Sequence, residues 1–117
     1  MSVSVELGEL DAHIARFGPR ALLVTTAGVG PPRVTSVLVT LEAPHLAVRV
    51  GNRTRANANE HPDVALVWPV TDGRHCLIVD GTARVGEGTV GEGKVGEGET
   101  LLVLPVSAVL HRLAQVD

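Results

Sequence analysis

Large apolar residues recur at helical spacing near the start of the chain. Within residues 6–17 they lie three or four positions apart, which makes one face of a helix apolar. They are Leu7, Leu10, Ile14 and Phe17. Ser4 is a residue type that caps helix starts, and Gly18 followed by proline is typical of a helix end. We therefore predict an amphipathic N-terminal helix over residues 6–17.

After residue 20 the pattern becomes typical of β-strands. Apolar and polar side chains alternate along residues 33–41, and the glycine- and proline-rich residues 28–32 before them indicate a turn. Gly81 interrupts a later alternating stretch and indicates a β-bulge, while Pro69 and Pro105 indicate edges or bends. The predicted strands are residues 21–26, 33–41, 45–50, 63–70, 75–85 and 100–106. The first three follow one another closely and are predicted to form a meander.

A polar segment between the third and fourth strands predicts a second, shorter helix. Thr54 is a good N-cap, residues 55–60 allow about two helical turns, and Pro62 ends them. About six strands, one flanking helix and one short inserted helix predict a mainly β fold, a small antiparallel β-barrel. Residues 1–117 fit one domain of common size.

Composition supports a β-rich core and narrows the classes of function. Valine accounts for 20 of the 117 residues, and it packs well on a pleated sheet. Unbroken apolar runs are far shorter than a membrane span, and a net charge of −3 argues against nucleic acid as a partner. Because Cys76 is the single cysteine and no secretory signal is visible, we expect a cytoplasmic protein that does not bind membranes.

Arginines are concentrated in one part of this acidic chain. Four of them fall between residues 33 and 55, and they are Arg33, Arg49, Arg53 and Arg55. The start of the predicted second helix offers free N–H groups and a positive dipole end. Thr54 adds a hydroxyl, and Arg55 can fork onto phosphate oxygens. This segment indicates a small anionic ligand; the alternative is that the arginines pair with acidic residues at the surface.

Other residue types give no catalytic or metal-binding motif. The five histidines are scattered without ligand spacing, so no metal site is predicted. Trp68 either lines a ring pocket or fills the core, and Cys76 is expected to act as a small buried apolar residue. The repeated Gly-Glu-Gly triplets of residues 86–99 predict a flexible, solvated loop, with a calcium-binding loop as the alternative.

Six segments, in this order and spacing, resemble the pyridoxamine 5′-phosphate oxidase-like family of flavin-binding split barrels. Residues 30–37 are similar to the family's Gly-x-Pro-x-x-x-x-Val strand. Residues 54–57 together with 61–68 look like its helix-and-strand signature of basic residues, Asn and Pro-x-Val. The other segments are residues 45–48, 77–85 and 109–112. The resemblance implies a split β-barrel and covers nearly the whole chain outside the Gly-Glu-Gly segment.

The same resemblance implies a cofactor, which is FMN or the deazaflavin F420, in a groove between the two subunits of a homodimer. The implied cofactor-binding residues are Arg33, Arg53, Thr54 and Arg55 at the phosphate, Thr35, Ser36 and Val37 at the ring, and Asn57 and Trp68. The sequence departs from many relatives at Ala56, where they carry a basic residue.

The implied function is that of a flavin- or F420-dependent oxidoreductase that transfers a hydride to or from a small substrate. The cofactor then supplies the redox chemistry, and the protein binds and orients it. Two other classes are compatible with the sequence. One is a non-catalytic barrel that binds or stores a flavin, haem or lipid, and the other is a structural domain with an empty groove.

Overall fold

The computed structural model of this chain describes residues 2–71, 73–86 and 99–112. This part of the chain contains seven β-strands and two short α-helices. The strands are β1 (Ser2–Val5), β2 (Arg20–Thr25), β3 (Arg33–Glu42), β4 (His45–Val50), β5 (Asp63–Trp68), β6 (His75–Val85) and β7 (Glu99–Arg112). The helices are a 3₁₀ turn (Leu7–Glu9), α1 (Leu10–Phe17) and α2 (Asn52–Glu60).

Six antiparallel strands close into a barrel. The order is β7-β4-β3-β2-β5-β6, and β6 pairs again with β7 to complete the circle. β7 is 14 residues long, so its first part pairs with β4 and its last part pairs with β1. The predicted mainly β antiparallel barrel with two helices is confirmed. β1 is a further strand that the sequence pattern did not predict, and its pairing joins Ser2 to His111.

The core lies inside the barrel and is built from the inward-facing half of each strand. Its fully buried members include Leu23, Leu66, Trp68, Leu77, Val79, Leu101 and Val103. Leu10 and Ile14 of α1 are buried as well, so the amphipathic helix packs its apolar face on the barrel. The indole N–H of Trp68 donates a hydrogen bond of 2.8 Å to the carbonyl of Gly18, the residue that ends α1.

The predicted β-bulge is confirmed at Gly81. The pairing of β6 with β7 shifts its register between Asp80 and Gly81. A Cβ atom on Gly81 would lie 2.6 Å from Val103 Cγ1 and 2.8 Å from the carbonyl oxygen of Leu104. Only glycine fits here without displacing the neighbouring strand, because both distances are shorter than real Cβ contacts.

Both helices begin at residues other than those predicted. Ser4 lies in β1 and is not the cap of α1, so that prediction is wrong; Gly18, with a φ of 94°, does end the helix. α2 starts at Asn52 with extended Gly51 as its N-cap, so the prediction that Thr54 caps this helix is also wrong. Thr54 sits within the first turn, where its side chain is buried against the barrel.

Two further predictions concern the end of β5 and the Gly-Glu-Gly segment. β5 ends at Trp68, one residue before Pro69, so the predicted strand over residues 63–70 was too long. Residues 87–98, which hold most of the Gly-Glu-Gly segment, lie outside the described residues, and the predicted loop stays a prediction.

Candidate functional site

A groove of about 1000 Å³ crosses the outer faces of β2, β3, β4 and β7. Its volume is that of a site for a small organic molecule or cofactor. The described residues that line it are Arg20, Ala21, Leu22, Ser36, Val37, Leu38, Thr40, Glu42, Ala47, Val48, Arg49, Pro69, Gly86, Thr100 and Leu102.

Strand alternation explains why this face is apolar. On β3, Val37 and Val39 are buried in the core, so Ser36 and Leu38 point outward. Leu38 is 61 % exposed, which is unusual for a large apolar side chain in the middle of a strand. Three other apolar side chains share the outer face, and they are Leu22, Ala47 and Leu102. Together with Leu38 they form the apolar floor of the groove.

Two arginines flank Leu38 on this floor. Arg20 pairs with Leu38 across β2 and β3. Val39 pairs with Val48 across β3 and β4, so Arg49, the next residue of β4, lies at the level of Leu38 on its other side. Thr100 pairs with Arg49 and brings a hydroxyl to the same place. The groove therefore combines an apolar floor with two positive charges.

The N-terminus of α2 follows Arg49 by two residues. The N-cap Gly51 has no side chain, and a Cβ atom placed there would meet nothing within 4 Å. The first N–H groups of a helix have no partner within it, and the positive end of the helix dipole favours an anion near them. The Thr54 hydroxyl lies 3.5 Å from the Thr35 hydroxyl, which fixes the first turn of α2 against β3.

The structure brings together only some of the residues that the resemblance implied. Ser36 and Val37 line the groove, and Thr35 and Thr54 are in contact beside it. Arg55 is half-buried, and its Nε is a buried nitrogen without a hydrogen-bond partner in the described part of the chain. A buried N–H without a hydrogen-bond partner is costly, and Arg55 itself does not line the groove.

Ser36 and Val37 are the two implied residues that line the groove, and the other seven lie elsewhere. Arg33, at the start of β3, and Arg53, on α2, are both exposed. Asn57 is half-buried on α2, and its backbone carbonyl accepts a hydrogen bond of 2.8 Å from the backbone N–H of His61. Trp68 is fully buried in the core, which agrees with the core interpretation of this residue.

Sequence reasoning missed Arg20 and Thr100 as groove residues and did not single out Arg49 from its neighbours. Arg49 carries a local signal, because it alternates with the buried Val48 and Val50 and so points outward. Arg20 carries none, since it is an ordinary first residue of a strand. Its place beside Leu38 follows from the pairing of β2 with β3, which the sequence pattern does not specify at the level of single residues.

Few of the described residues that line the groove could act as an acid, a base or a nucleophile. Glu42 is the single carboxylate among the lining residues that are described, and histidine and cysteine are absent from that set. Within the described ranges, no three His, Cys, Asp or Glu side chains come together in a possible metal site.

Comparison with known proteins gives matches of structure and none of sequence. No protein-family model matches the chain, and no curated protein does either. Among the described helices, none is long and apolar enough to cross a membrane.

Three solved structures show what the fold is similar to. A pyridoxamine 5′-phosphate oxidase-like protein from Listeria innocua has a TM-score of 0.70 at 14 % identity, over 90 % of this chain and 98 % of its own. The haem-storage protein HutZ from Vibrio cholerae has a TM-score of 0.71 at 13 % identity, over 92 % and 96 %. An FAD-binding protein from Mycobacterium smegmatis has a TM-score of 0.68 at 18 % identity, over 96 % and 100 %.

At these identities the comparisons establish the fold. They confirm the resemblance that we inferred from the six sequence segments, as far as the fold is concerned. The chain has the split-barrel fold of the pyridoxamine 5′-phosphate oxidase-like, flavin-binding and haem-storage proteins.

Proposed function

We propose that this protein binds a flavin, FMN in the first place and F420 as the alternative, in the groove across β2, β3, β4 and β7. In this proposal the bound cofactor serves a flavin-dependent oxidoreductase that acts on a small substrate. The observation that carries it is the groove of about 1000 Å³, whose apolar floor around Leu38 has an arginine on each side.

The groove fits the two chemically different parts of FMN. The planar ring system needs an apolar surface, which Leu38, Ala47 and Leu102 offer. The phosphate needs positive charge and N–H donors, which Arg49 in the groove and the N-terminus of α2, two residues further along the chain, would offer. Arg33, Arg53 and Arg55 are the further cations that we propose for phosphate binding.

The groove favours a flavin over haem. HutZ shares the fold and is a haem-storage protein, so haem is a natural competitor. Haem iron is held by His, Cys, Met or Tyr side chains. None of these types occurs among the described residues that line the groove, whereas a flavin needs no such ligand.

In this proposal the protein itself binds the flavin and orients it. A bound flavin would supply the hydride chemistry, and the groove would hold and orient it. Ser36 and Val37 of β3 border the place where we propose the ring lies. No acid–base residue is needed in the groove for this, because the cofactor carries the chemistry.

We also propose that the protein is a homodimer whose interface includes the groove. The outer face carries large apolar side chains that a monomeric barrel would leave in water: Val34 is 57 % exposed and Leu38 61 %. A two-fold arrangement would cover them and would enclose a ligand between two copies of the groove.

A titration of the cofactor-free protein with FMN, F420 and haemin tests the proposal. We expect saturable binding of FMN or F420, followed by flavin fluorescence, with weaker binding of haemin. Reduction of the bound flavin by a nicotinamide or by a substrate, with turnover, then separates an oxidoreductase from a storage protein. Tight haemin binding with no flavin binding would replace this proposal with the haem alternative.

A further inference from the structure

A thiol, an imidazole and a hydroxyl lie side by side on the outer face of the barrel, and none of the three lines the groove. Cys76 of β6 pairs with His111 of β7, and His111 pairs on its other side with Ser2 of β1. Leu77 is fully buried, so Cys76, the residue before it, points outward. Residues directly opposite one another in antiparallel strands share a face, with Cβ atoms about 5 Å apart. Strand pairing therefore aligns the three side chains in one row.

The imidazole of His111 is held in one orientation by Ser2. The Ser2 hydroxyl oxygen lies 2.9 Å from Nδ1 of His111, which is hydrogen-bond distance. The two ring nitrogens are on opposite edges of the imidazole, so the edge that carries Nε2 faces β6 and Cys76. When Nδ1 carries the proton and donates to Ser2, Nε2 is an acceptor and can take the proton of the Cys76 thiol. Ser2 is thus a positioning residue for His111.

Cys76 is accessible enough to react. The sequence predicted a small buried apolar residue here, but the side chain is half-buried, and His111 beside it is exposed. The thiolate is the nucleophilic form of cysteine, and an adjacent base promotes its formation at neutral pH. A half-buried thiol next to a histidine that a third group orients therefore has the arrangement of an activated nucleophile.

The charges around Cys76 favour an anionic reactant. Two arginines and no Asp or Glu occur in the described segments around it, which are residues 2–5, 73–79 and 106–112. Arg74 precedes Cys76 by two residues, and Arg112 pairs with His75, its immediate neighbour. β5, the other neighbour of β6, ends at Trp68 before the level of Cys76 and brings no carboxylate there. An open sheet face of this kind suits a reaction that needs only a thiolate and a reachable sulfur–sulfur bond.

We propose that Cys76 is a modification site that forms mixed disulfides with small anionic disulfides, a class that includes glutathione disulfide. His111 Nε2 takes the thiol proton, and the Cys76 sulfur attacks one sulfur of the disulfide. A bond forms between Cys76 Sγ and that sulfur, the original sulfur–sulfur bond breaks, and the other half leaves as a thiolate that takes up the proton. The disulfide is the oxidant, and a reducing thiol reverses the step. The site does not depend on the proposed flavin.

The experiment measures the rate at which the folded protein reacts with two disulfide probes. Because Cys76 is the single cysteine of the chain, one thiol accounts for all of the signal. Dithiobis-nitrobenzoate is an anionic disulfide that releases one coloured thiolate per reaction, and dithiodipyridine is its neutral counterpart. His111→Gln removes the base, and Ser2→Ala removes the group that orients it. His45→Gln, which removes a histidine from β4, is the matched control.

We expect the parent protein to react with dithiobis-nitrobenzoate about tenfold faster than His111→Gln at about pH 7. At about pH 10 the two rates should converge, because a thiol is then ionised without the help of a base. Ser2→Ala should slow the reaction by about threefold at the lower pH alone, and His45→Gln should leave it unchanged. Mass spectrometry after incubation with glutathione disulfide should show one added glutathione, which a reducing thiol removes.

Other outcomes overturn the inference. Equal rates for the parent protein and His111→Gln near neutral pH refute the role of His111. A His111→Gln protein that stays slower at high pH shows that the substitution only changed access to the thiol. A parent protein that reacts no faster than its urea-unfolded form has an ordinary thiol, and the site is refuted. A preference for the neutral dithiodipyridine, relative to the unfolded protein, refutes the anionic class. All of these results are independent of whether a flavin binds.

Discussion

The indole N–H of Trp68 donates a 2.8 Å hydrogen bond to the carbonyl of Gly18, and so ties the end of β5 to the end of α1. Both groups lie where the helix meets the barrel, and the Trp68 side chain is fully buried. This contact assigns the largest side chain of the protein to the core and away from the groove.

A substitution of Trp68 tests its role in stability separately from a role in ligand binding. Trp68→Phe removes the hydrogen bond and part of the packed volume, so the free energy of unfolding should fall by about 2–3 kcal/mol. The affinity for FMN should stay unchanged in the folded variant, because Trp68 does not line the groove. Denaturant unfolding and an FMN titration measure the two effects. A large loss of FMN affinity with unchanged stability would place Trp68 at the ligand after all.

The bulge in β6 gives a second prediction, which concerns the stability of the folded protein. Gly81→Ala adds a methyl group 2.6 Å from Val103 Cγ1 and close to the backbone of Leu104, so it should destabilise the protein by about 1–3 kcal/mol. Gly8→Ala is the matched control, since a Cβ atom there meets nothing within 4 Å. We expect this control to change stability by less than about 0.5 kcal/mol. Equal midpoints of urea unfolding for both variants would contradict the close packing at the bulge.

A third prediction concerns the proposed contact between Arg55 and the phosphate of FMN. Arg55→Ala removes a half-buried guanidinium whose Nε has no partner in the described part of the chain. If it contacts the phosphate, FMN affinity falls by about 1.5–3 kcal/mol while riboflavin affinity is unchanged. Asn59→Ala, at an exposed position of the same helix, is the control and should alter neither affinity. Equal FMN affinities for Arg55→Ala and its control would mean that Arg55 serves no phosphate.

The proposed dimer is tested at Leu38. Leu38→Lys places a third cation between Arg20 and Arg49 on the outer face, so it should shift the protein toward monomers in sedimentation velocity. The fold should survive, since the side chain is 61 % exposed. Leu7→Lys introduces the same charge at another exposed apolar position and should leave the association state unchanged. A parent protein that sediments as a monomer would contradict the dimer directly.

The sequence predicted strands best where alternation and local turn signals agree. The bounds of β4 and β6 match the predicted residues 45–50 and 75–85, because their alternation is regular and glycine marks the bulge. β1 was missed because four residues of alternating Ser and Val gain their structure from β7, more than a hundred residues away. Four alternating residues are too short a pattern to predict a strand, and a partner so distant in the sequence is not visible locally.

The candidate site was predicted less completely than the fold. Clustering along the sequence singled out Arg33, Arg49, Arg53 and Arg55. Of these four, Arg49 lines the groove, and the other arginine that lines it is Arg20. Neighbours across a sheet are set by strand pairing, and Arg20 reaches the groove only because β2 pairs with β3. Of the residues that the resemblance implied, Ser36 and Val37 line the groove, and their role toward a cofactor stays a prediction.

An equilibrium titration with FMN of the parent protein and of Ala47→Trp tests the central claim most directly. Ala47 points outward from β4 into the groove, so a tryptophan there fills the proposed place of the ring while the core stays intact. We predict saturable FMN binding to the parent protein and its loss in Ala47→Trp, with similar unfolding midpoints for the two proteins. Equal FMN binding by both, or no binding by the parent protein, would contradict the claim that this groove is a flavin site.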